Sequence, residues 1–296
     1  MNKGIIYAIG AYFLWGLFPI YWKLINRVPA LEIIAHRVVW AFIFVLLVIS
    51  FKKDWTGFKQ ALKNRRVLYL YLLTGVLLFV NWLVYVWAVN AGFIVDASLG
   101  YFINPLVNVV LGVIFLRERL RLWQWIPVGI ATLGVLYLTV SYGALPWIGL
   151  TLAFTFGTYG LLKKTAPLNS TYGFTLETGF LFLPALIYLL ALELAGNGAF
   201  PHGSVLETSL LILTGVATGL PLLLFGSAAR LVPLSTLGFI QYLAPTLQFL
   251  IGVLVYGEAF TPDRMVGFGL IWLALAIYSV DSMHTRHLNR IAYLAD

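Results

Sequence analysis

Apolar residues form long runs along the chain, and short polar stretches separate these runs. Most runs have the roughly 17–25 residues that an α-helix needs to cross the hydrocarbon core of a bilayer. The pattern therefore predicts ten membrane-spanning helices, with only a short turn between the fifth and the sixth. The predicted segments are residues 4–23, 31–51, 67–89, 96–116, 126–142, 144–162, 171–194, 206–229, 235–257 and 264–280.

The basic residues are distributed unevenly between the polar stretches. Short cytoplasmic loops of membrane proteins collect Lys and Arg. If the N-terminus lies inside, fifteen of the nineteen Lys and Arg residues fall on the cytoplasmic side, whereas Lys23, Arg27 and Arg264 fall outside. We therefore expect both termini to be cytoplasmic. The net charge of +8 follows from this topology, so we expect no nucleic-acid partner.

Two sets of positions recur along the chain at nearly constant offsets. At an offset of 140 the pairs are Pro105 and Pro245, Gly112 and Gly252, Glu118 and Glu258, and Gly129 and Gly269. At an offset of 141 they are Phe13 and Phe154, Gly16 and Gly157, Phe18 and Tyr159, and Lys23 and Lys164. These recurrences predict one membrane domain built from two copies of a unit, residues 1–143 and 144–296.

Each predicted copy holds five helices, and this odd number has a geometric consequence. The second copy must enter the membrane from the opposite side to the first, so the repeats are inverted. The predicted fold is therefore an all-α integral membrane protein with ten transmembrane helices in two inverted five-helix repeats. Inverted repeats of this kind are typical of transporters that open alternately to the two sides of a membrane.

Composition excludes several classes of protein. The chain is 61% hydrophobic and 10% charged, whereas a soluble domain has about 25% charged residues. It contains no cysteine, so disulfides and thiolate chemistry are excluded. It also lacks a phosphate-binding G-x-x-x-x-G-K-[ST] loop, and His284 and His287 resemble only half of a metal site. We expect no cofactor, no metal site and no enzymatic activity.

Several longer motifs resemble a known family. The third and fourth segments contain NWLVYVWAVN at residues 81–90 and ASLGYFINPL at residues 97–106. The eighth and ninth segments contain PLLLF at residues 221–225 and STLGFIQY at residues 235–242. The chain resembles the RarD branch of the EamA transporters, within the drug/metabolite transporter superfamily. The resemblance implies ten helices, inverted repeats and a location in the bacterial plasma membrane.

Polar residues inside the predicted segments are the candidates for a solute-binding cavity, because residues three, four and seven apart share one face of a helix. The candidates are Trp15 in the first segment, Asn81 and Tyr85 in the third, Tyr101, Asn104 and Asn108 in the fourth, and Gln241 and Gln248 in the ninth. Polar groups in a bilayer tend to face a cavity. The alternative is that the amides join neighbouring helices, at about 0.6 kcal/mol each.

Few ionisable residues lie inside the predicted segments, and each costs roughly 2.5–3.5 kcal/mol at the centre of a spanning helix. Glu177 lies about two turns into the seventh segment and is a candidate acceptor for a cation or a proton. Arg37, with His36 beside it and Glu32 one turn earlier, is a candidate holder of a substrate carboxylate. Structural ion pairs and snorkelling to the interface are the alternatives.

The repeated prolines and glutamates are candidates for moving parts. Pro105 and Pro245 are predicted near the middle of their segments, where each removes a backbone donor and favours a bend. Packing geometry alone is the other interpretation, because proline is common in membrane helices. Glu118 and Glu258 are predicted at opposite ends of the membrane, as helix-end or gate contacts.

The sequence thus predicts a secondary transporter, expected to be an exporter, of small amino-acid-like or amphipathic organic solutes. Its expected partners are the solute and the lipid bilayer, and coupling to protons or another ion is left open, as is the oligomeric state. A lipid-head flippase is the alternative within transport. A non-transporting membrane scaffold and a membrane-embedded enzyme are the alternatives outside it.

Overall fold

A computed structural model describes residues 3–52, 55, 62, 64–117, 122–231 and 240–295. Regular structure in these residues is helical throughout. The helices are α1 (Lys3–Gly16), α2 (Phe18–Leu24), α3 (Ala30–Lys52), α4 (Arg65–Ala91), α5 (Ile94–Leu116), α6 (Leu122–Tyr142), α7 (Trp147–Thr165), α8 (Ser170–Leu194), α9 (Val205–Leu231), α10 (Leu243–Leu250, continued by a π-helical turn at Ile251–Val255) and α11 (Pro262–Ala295).

Each predicted apolar segment overlaps a helix, and the first segment comprises both α1 and α2. Within the described ranges, seven helical stretches are long and apolar enough to cross a membrane. They are Lys3–Leu24, Ala30–Phe51, Arg65–Ala91, Ile94–Phe115, Ser170–Leu194, Val205–Ala228 and Pro262–Asp281. Two shorter apolar helices, Trp125–Ser141 and Leu243–Val255, accompany them. The chain is therefore an all-helical, multi-pass membrane protein.

A proline explains why the first apolar segment is divided into two helices. Pro19 lies in the first turn of α2, directly after the break at Leu17. Because proline has no N–H group, it leaves the carbonyl of Trp15 without its helical donor. That carbonyl instead accepts a hydrogen bond from Nε2 of Gln248 on α10, at 3.0 Å. The break in the first segment thus joins α1 to α10.

The helices α5 and α10 differ around their prolines. The helix α5 continues through Pro105 from Ile94 to Leu116. By contrast, Gln241 and Tyr242 form a turn just before α10, and Pro245 is the third residue of that helix. Pro245 cannot donate to the carbonyl of Gln241 four residues earlier, which accounts for a break at this place. The two helices therefore have different backbones at corresponding prolines.

The core of the described residues falls into two large apolar clusters and a small one. The first lies between α2, α3, α4, α5, α7, α8 and α9, the second joins α5 to α6, α7 and α11, and the small one pairs α1 with α9. Glycine permits the closest approach of α5 and α7, since a Cβ atom on Gly100 would lie 2.5 Å from the carbonyl oxygen of Gly149. The helix α3 is central, because it packs against α4, α8 and α9.

Large apolar side chains also cover much of the outer surface. Val140, Leu194 and Val205 are 82%, 90% and 85% exposed, respectively. Exposure of so many apolar side chains to water would oppose folding, but in lipid tails it carries no such cost. The surface of the helical bundle is thus matched to a bilayer.

Candidate functional site

Arg37 lies in the interior of the bundle and is 3% exposed. It is the eighth residue of α3, about 10 Å along the helix axis from its start. Three aromatic rings surround its guanidinium carbon: Trp82 at 4.1 Å from the ring centroid, Trp22 at 5.2 Å and Phe18 at 5.6 Å. We call Arg37 and these three rings the arginine cage. Aromatic faces attract a cation, and the attraction increases when water is excluded.

The arginine cage provides little conventional hydrogen bonding to its cation. Nε of Arg37 donates to Oγ1 of Thr218 on α9 at 2.7 Å, whereas its buried Nη1 atom has no hydrogen-bond partner. Among the side chains that the structure describes, no carboxylate forms an ion pair with Arg37. The cation is held by rings and one hydroxyl group.

Two tyrosines from α4 and α5 lie beside the arginine cage. Tyr85 lies one turn after Trp82 on α4, and the rings of Tyr85 and Tyr101 meet edge to face at 5.7 Å. The hydroxyl of Tyr101 donates to Oδ1 of Asn81 at 3.3 Å. The hydroxyl of Tyr85 is buried without a hydrogen-bond partner. The structure thus brings the predicted residues Arg37, Asn81, Tyr85 and Tyr101 together.

The predicted amides mainly join helices in this structure. Asn81 donates to the carbonyl of Leu152 at 3.1 Å and to Oγ1 of Thr155 at 2.9 Å. Asn104 donates to the carbonyl of Ala153 at 3.1 Å and accepts a bond from Asn108 at 3.0 Å. These bonds attach α4 and α5 to α7. Contact of the amides with a solute stays a prediction.

Of the remaining predicted lining residues, Trp15 and Gln248 lie where α1 meets α9 and α10. The ring of Trp15 contacts Tyr12 at 5.3 Å and Phe225 at 5.8 Å. Gln248 is buried, and its Oε1 atom has no hydrogen-bond partner. Gln241 is half-buried in the turn before α10. Trp15, Tyr12, Phe225 and Gln248 thus form a second polar and aromatic group, in which Gln248 donates to the carbonyl of Trp15.

Glu177 is buried in α8 and has three donors. Its Oε1 atom accepts from Oγ1 of Thr74 at 2.8 Å and from Nζ of Lys163 at 3.0 Å, and its Oε2 atom accepts from the hydroxyl of Tyr159 at 3.4 Å. Lys163 also lies over the rings of Tyr71 and Tyr159, at 4.9 and 5.6 Å. Glu177 is therefore already paired with Lys163, whose side chain is 21% exposed.

The sites of Arg37 and Glu177 are separated along α4. Thr74 contacts Glu177 and Trp82 contacts Arg37, and eight residues of helix correspond to about 12 Å. Aromatic rings connect the two sites through α5 and α7. The successive centroid distances are 5.7 Å for Tyr85 and Tyr101, 6.1 Å for Tyr101 and Phe156, and 5.8 Å for Phe156 and Tyr159. We call these four rings the aromatic column.

Glu258 binds the start of α5. Its Oε1 and Oε2 atoms accept hydrogen bonds from the backbone N–H groups of Ile94 at 2.7 Å and Val95 at 2.8 Å. These amides have no helical acceptor, and the positive end of the helix dipole favours a carboxylate there. Burial raises the pKa of the Glu258 carboxyl, while both amide bonds oppose this rise. Glu118 lies outside the described residues.

His36 and Glu32 lie apart from these contacts. The ring of His36 packs on Phe200 at 5.2 Å, and Oε1 of Glu32 accepts from the backbone N–H of Ala199 at 2.7 Å. Both residues therefore attach the loop between α8 and α9 to α3. A pocket of about 210 Å³ is likewise separate, between Asp96, Trp147 and Arg264.

Sequence reasoning did not assign the partners of the two buried charges. Lys163 was expected in a cytoplasmic loop, but it lies in the last turns of α7 and reaches Glu177. Thr74 and Thr218 gave no signal in the sequence, because single hydroxyl groups are common in membrane helices, and Tyr159 appeared only as the repeat counterpart of Phe18. The recurrence at an offset of 140 could have helped, since it relates Arg37 to Glu177.

Comparison with known proteins identifies the family. The model of the EamA-like transporter family matches residues 2–140 and, separately, residues 145–280. Protein RarD of Streptomyces exfoliatus is 46% identical over 98% of this chain and 92% of that protein. Protein RarD of Escherichia coli (strain K12) is 44% identical over 96% of each chain. An uncharacterized transporter of Bacillus subtilis (strain 168), YojE, is 45% identical over 98% of this chain and 97% of that protein.

A solved crystal structure shares the fold. It is 17% identical to this chain and covers 94% of it and 97% of the solved chain, with a TM-score of 0.59. At this identity the likeness concerns the path of the backbone alone.

Proposed function

Because the chain belongs to the EamA-like transporter family, we propose that it is a secondary transporter of small organic solutes in the bacterial plasma membrane. It exports its solute by alternating access between two inverted five-helix repeats, residues 1–143 and 144–296. The observation that supports this proposal best is a pair of matching glycine contacts.

The glycine contacts obey the symmetry that inverted repeats require. A Cβ atom on Gly16 of α1 would lie 2.7 Å from Leu247 of α10, and one on Gly157 of α7 would lie 3.0 Å from Val107 of α5. The offset of 141 relates the two glycines, and the offset of 140 relates their partners. A two-fold axis that exchanges the halves of the chain would produce both contacts. The separate family matches to residues 2–140 and 145–280 also support a repeat.

Two further features support the same symmetry. The helix α1 packs on α9 and α10, while its proposed counterpart α7 packs on α4 and α5. The backbones of Arg117 and Gly257, which the offset of 140 relates, both have left-handed φ angles, of 54° and 64°. Ten spanning segments arranged in this way leave both termini on one side, which the distribution of Lys and Arg assigns to the cytoplasm.

The topology has a direct test. Reporter fusions along the chain are expected to show ten crossings and to place the residue after Asp296 in the cytoplasm, because of the bias in basic residues. Fusions in the turn between α6 and α7 are the most informative, since residues 143–146 are proposed to face outside. A periplasmic C-terminus or a cytoplasmic α6–α7 turn would contradict the proposed topology.

Alternating access requires related helices to adopt different conformations at one time. The helices α5 and α10 differ in this way, because α5 is continuous at Pro105 while a turn precedes Pro245 and a π-helical turn ends α10. π-Helical turns are rare and occur often at functional sites. We infer that these helices exchange their bent and straight forms when the cavity opens to the other side.

The glutamates serve as latches in this cycle. Glu258 caps α5 through Ile94 and Val95 and so closes the outer end of the bundle. The offset of 140 relates Glu118 to Glu258, and relates Ile94 and Val95 to Leu234 and Ser235. We infer that Glu118 serves as the corresponding latch of the inner end. Glu118, Leu234 and Ser235 lie outside the described residues.

Transport itself is tested in liposomes that contain the purified chain. A transporter gives saturable counterflow with at least one member of a broad panel of organic acids, amino acids and amphipathic solutes, and inside-out vesicles establish its direction. Absence of flux for every solute would contradict the proposal. Movement of a fluorescent lipid between leaflets, without solute flux, would instead indicate a lipid-head flippase.

Replacement of Pro245 by alanine is expected to slow transport. The alanine N–H can bond to the carbonyl of Gln241, which would restore the helix and make the bent form more costly. We expect about a fivefold lower initial flux, which corresponds to ~1 kcal/mol in barrier height, with little change in affinity for the transported solute. Pro105→Ala should have the same kind of effect in the opposite conformation.

Flux and affinity are measured in one liposome preparation, with Pro184→Ala as the control. Pro184 is also inside a helix, but its side chain is exposed on the surface of α8. If Pro105→Ala and Pro245→Ala both match the wild type in flux and affinity, these prolines are packing features and the hinge is wrong.

A further inference from the structure

The described contacts of Arg37 compensate only part of the free-energy cost of burying its charge. Guanidinium stays charged in proteins, and a charge in the interior of a membrane protein is costly unless an anion or a water-filled cavity accompanies it. Among the described side chains no acid pairs with Arg37, and only 3% of its surface is exposed. The three rings and Thr218 offset part of the cost. A counter-anion would offset the remainder.

Unused donors show where an anion would bind. Nη1 of Arg37 is buried without a partner, and so is the hydroxyl of Tyr85. Tyr85 lies one turn after Trp82 on α4, so it shares the face of that helix that contacts Arg37. Buried donors are rarely left unpaired in proteins. A carboxylate in contact with Nη1 and the hydroxyl of Tyr85 would pair two of these donors at once.

The surroundings indicate what the carboxylate is attached to. The arginine cage presents the rings of Trp82, Trp22 and Phe18, and the aromatic column extends from Tyr85 towards Glu177. Aromatic rings stack favourably on one another, by about 0.5–1.5 kcal/mol beyond the burial of their area. A flat aromatic group therefore suits the column beside the carboxylate.

We propose that Arg37 and Tyr85 bind the carboxylate of an aromatic organic anion, whose ring lies along the aromatic column. This inference rests on the proposed transport function and names its substrate class. The inference also predicts that the site binds zwitterions more weakly than anions. Of the two buried acids among the described residues, Glu177 already pairs with Lys163 at 3.0 Å and Glu32 already accepts from the backbone N–H of Ala199 at 2.7 Å.

Binding is measured on the purified full-length chain in detergent at neutral pH. Benzoate is the anionic probe, benzamide its neutral analogue of similar shape, and free phenylalanine the zwitterion. The fluorescence of tryptophan reports binding, because Trp82 lies 4.1 Å from the guanidinium carbon, and ligand-induced thermal stabilisation provides a second signal. We expect saturable benzoate binding that is at least about tenfold tighter than binding of benzamide or phenylalanine.

Substitutions separate a binding role from a structural one. Arg37→Gln should lower benzoate affinity at least about tenfold, to the level of benzamide, and Tyr85→Phe, which removes only the hydroxyl group, should lower it about threefold. Arg65→Gln, which removes one exposed positive charge at the start of α4, should bind like the wild type. If Arg37→Gln does not fold, Arg37→Lys keeps the charge and should keep a weakened preference for benzoate.

Several outcomes would overturn the inference. The wild type could fail to bind benzoate saturably, or it could bind benzamide or phenylalanine as tightly as benzoate. The variants Arg37→Gln and Tyr85→Phe could also both bind benzoate with unchanged affinity. Counterflow separates this failure from failure of the transport proposal. Flux of neutral or zwitterionic solutes without flux of carboxylates would overturn the substrate class alone, whereas no flux of any solute would overturn transport.

Discussion

Replacement of Glu177 by glutamine is expected to lower transport about tenfold or more, which corresponds to ~1.4 kcal/mol, while the protein remains folded. Glutamine has nearly the shape of glutamate: its one amide oxygen can keep the hydrogen bond from Thr74, and its amide N–H group can donate to the hydroxyl of Tyr159 instead of accepting from it. It cannot balance the ammonium of Lys163, which is only 21% exposed. We therefore expect a loss of about 1–3 kcal/mol in the free energy of unfolding. If Glu177 takes up a proton during the transport cycle, the variant should also lose the dependence of flux on pH between about pH 5 and 8.

The double variant Glu177→Gln with Lys163→Gln decides between function and structure. If the ion pair only stabilises the fold, removal of both charges should restore stability and flux together, because no uncompensated charge remains. The proposed functional role predicts restored stability with flux still low. Normal flux with an unchanged pH profile in the single variant would assign Glu177 to structure.

Replacement of Glu258 by alanine is expected to have the second large effect. The side chain provides two charge-assisted hydrogen bonds to the first amides of α5, and such bonds contribute about 1.5–3 kcal/mol each. If they close the outer end of the bundle, their loss shifts the conformational equilibrium towards the outward-open form by at least about tenfold. Outer cysteine substitutions should then react faster with a membrane-impermeant thiol reagent, while inner ones react more slowly.

A nearby ion pair supplies the control for this prediction. Asp96, in the first turn of the same helix, pairs with Arg264 at 3.1 Å. Asp96→Asn removes one charge beside the start of α5 but leaves both bonds of Glu258 in place. It should change outer reactivity much less than Glu258→Ala. Equal effects of the two variants, or no effect of Glu258→Ala, would mean that the carboxylate is not a latch.

The positions of the helices could be predicted from the sequence because each apolar run overlaps a helix, and all but the first overlap a single one. The turn between α6 and α7 was confirmed at residues 143–146, where Gly143 has a left-handed φ angle of 66°. The division of the first segment at Leu17 was missed, although Pro19 gave a local reason for it. Average hydropathy over a segment is insensitive to such a break, because both halves remain apolar.

The candidate site was predictable only in part. Arg37 and Glu177 could be identified from the sequence because few charged residues occur inside membrane segments. Their partners depend on how distant helices pack, so no short-range pattern could assign Lys163 to Glu177 or the ring of Trp82 to Arg37. The difference in backbone conformation at Pro105 and Pro245 could not be predicted either. Two copies of one motif have similar sequences, which do not indicate which conformation each copy adopts.

The central claim is that the two ends of the bundle open alternately, and paired distance measurements test it most directly. The chain has no cysteine, so spin labels can be placed freely at exposed positions. One pair, Ala91→Cys with Ala259→Cys, spans the proposed outer end near Glu258, and another, Phe115→Cys with Leu231→Cys, spans the proposed inner end. The four sites are exposed and lie outside the arginine cage and the aromatic column.

The labelled proteins are measured in liposomes by double electron–electron resonance, with and without a solute that gives counterflow, and again with Glu258→Ala. The account predicts two distance populations for each pair and opposite shifts at the two ends, so that the outer distance lengthens as the inner distance shortens. Single, unchanged distances at both ends, or lengthening of both distances together, would contradict alternating access.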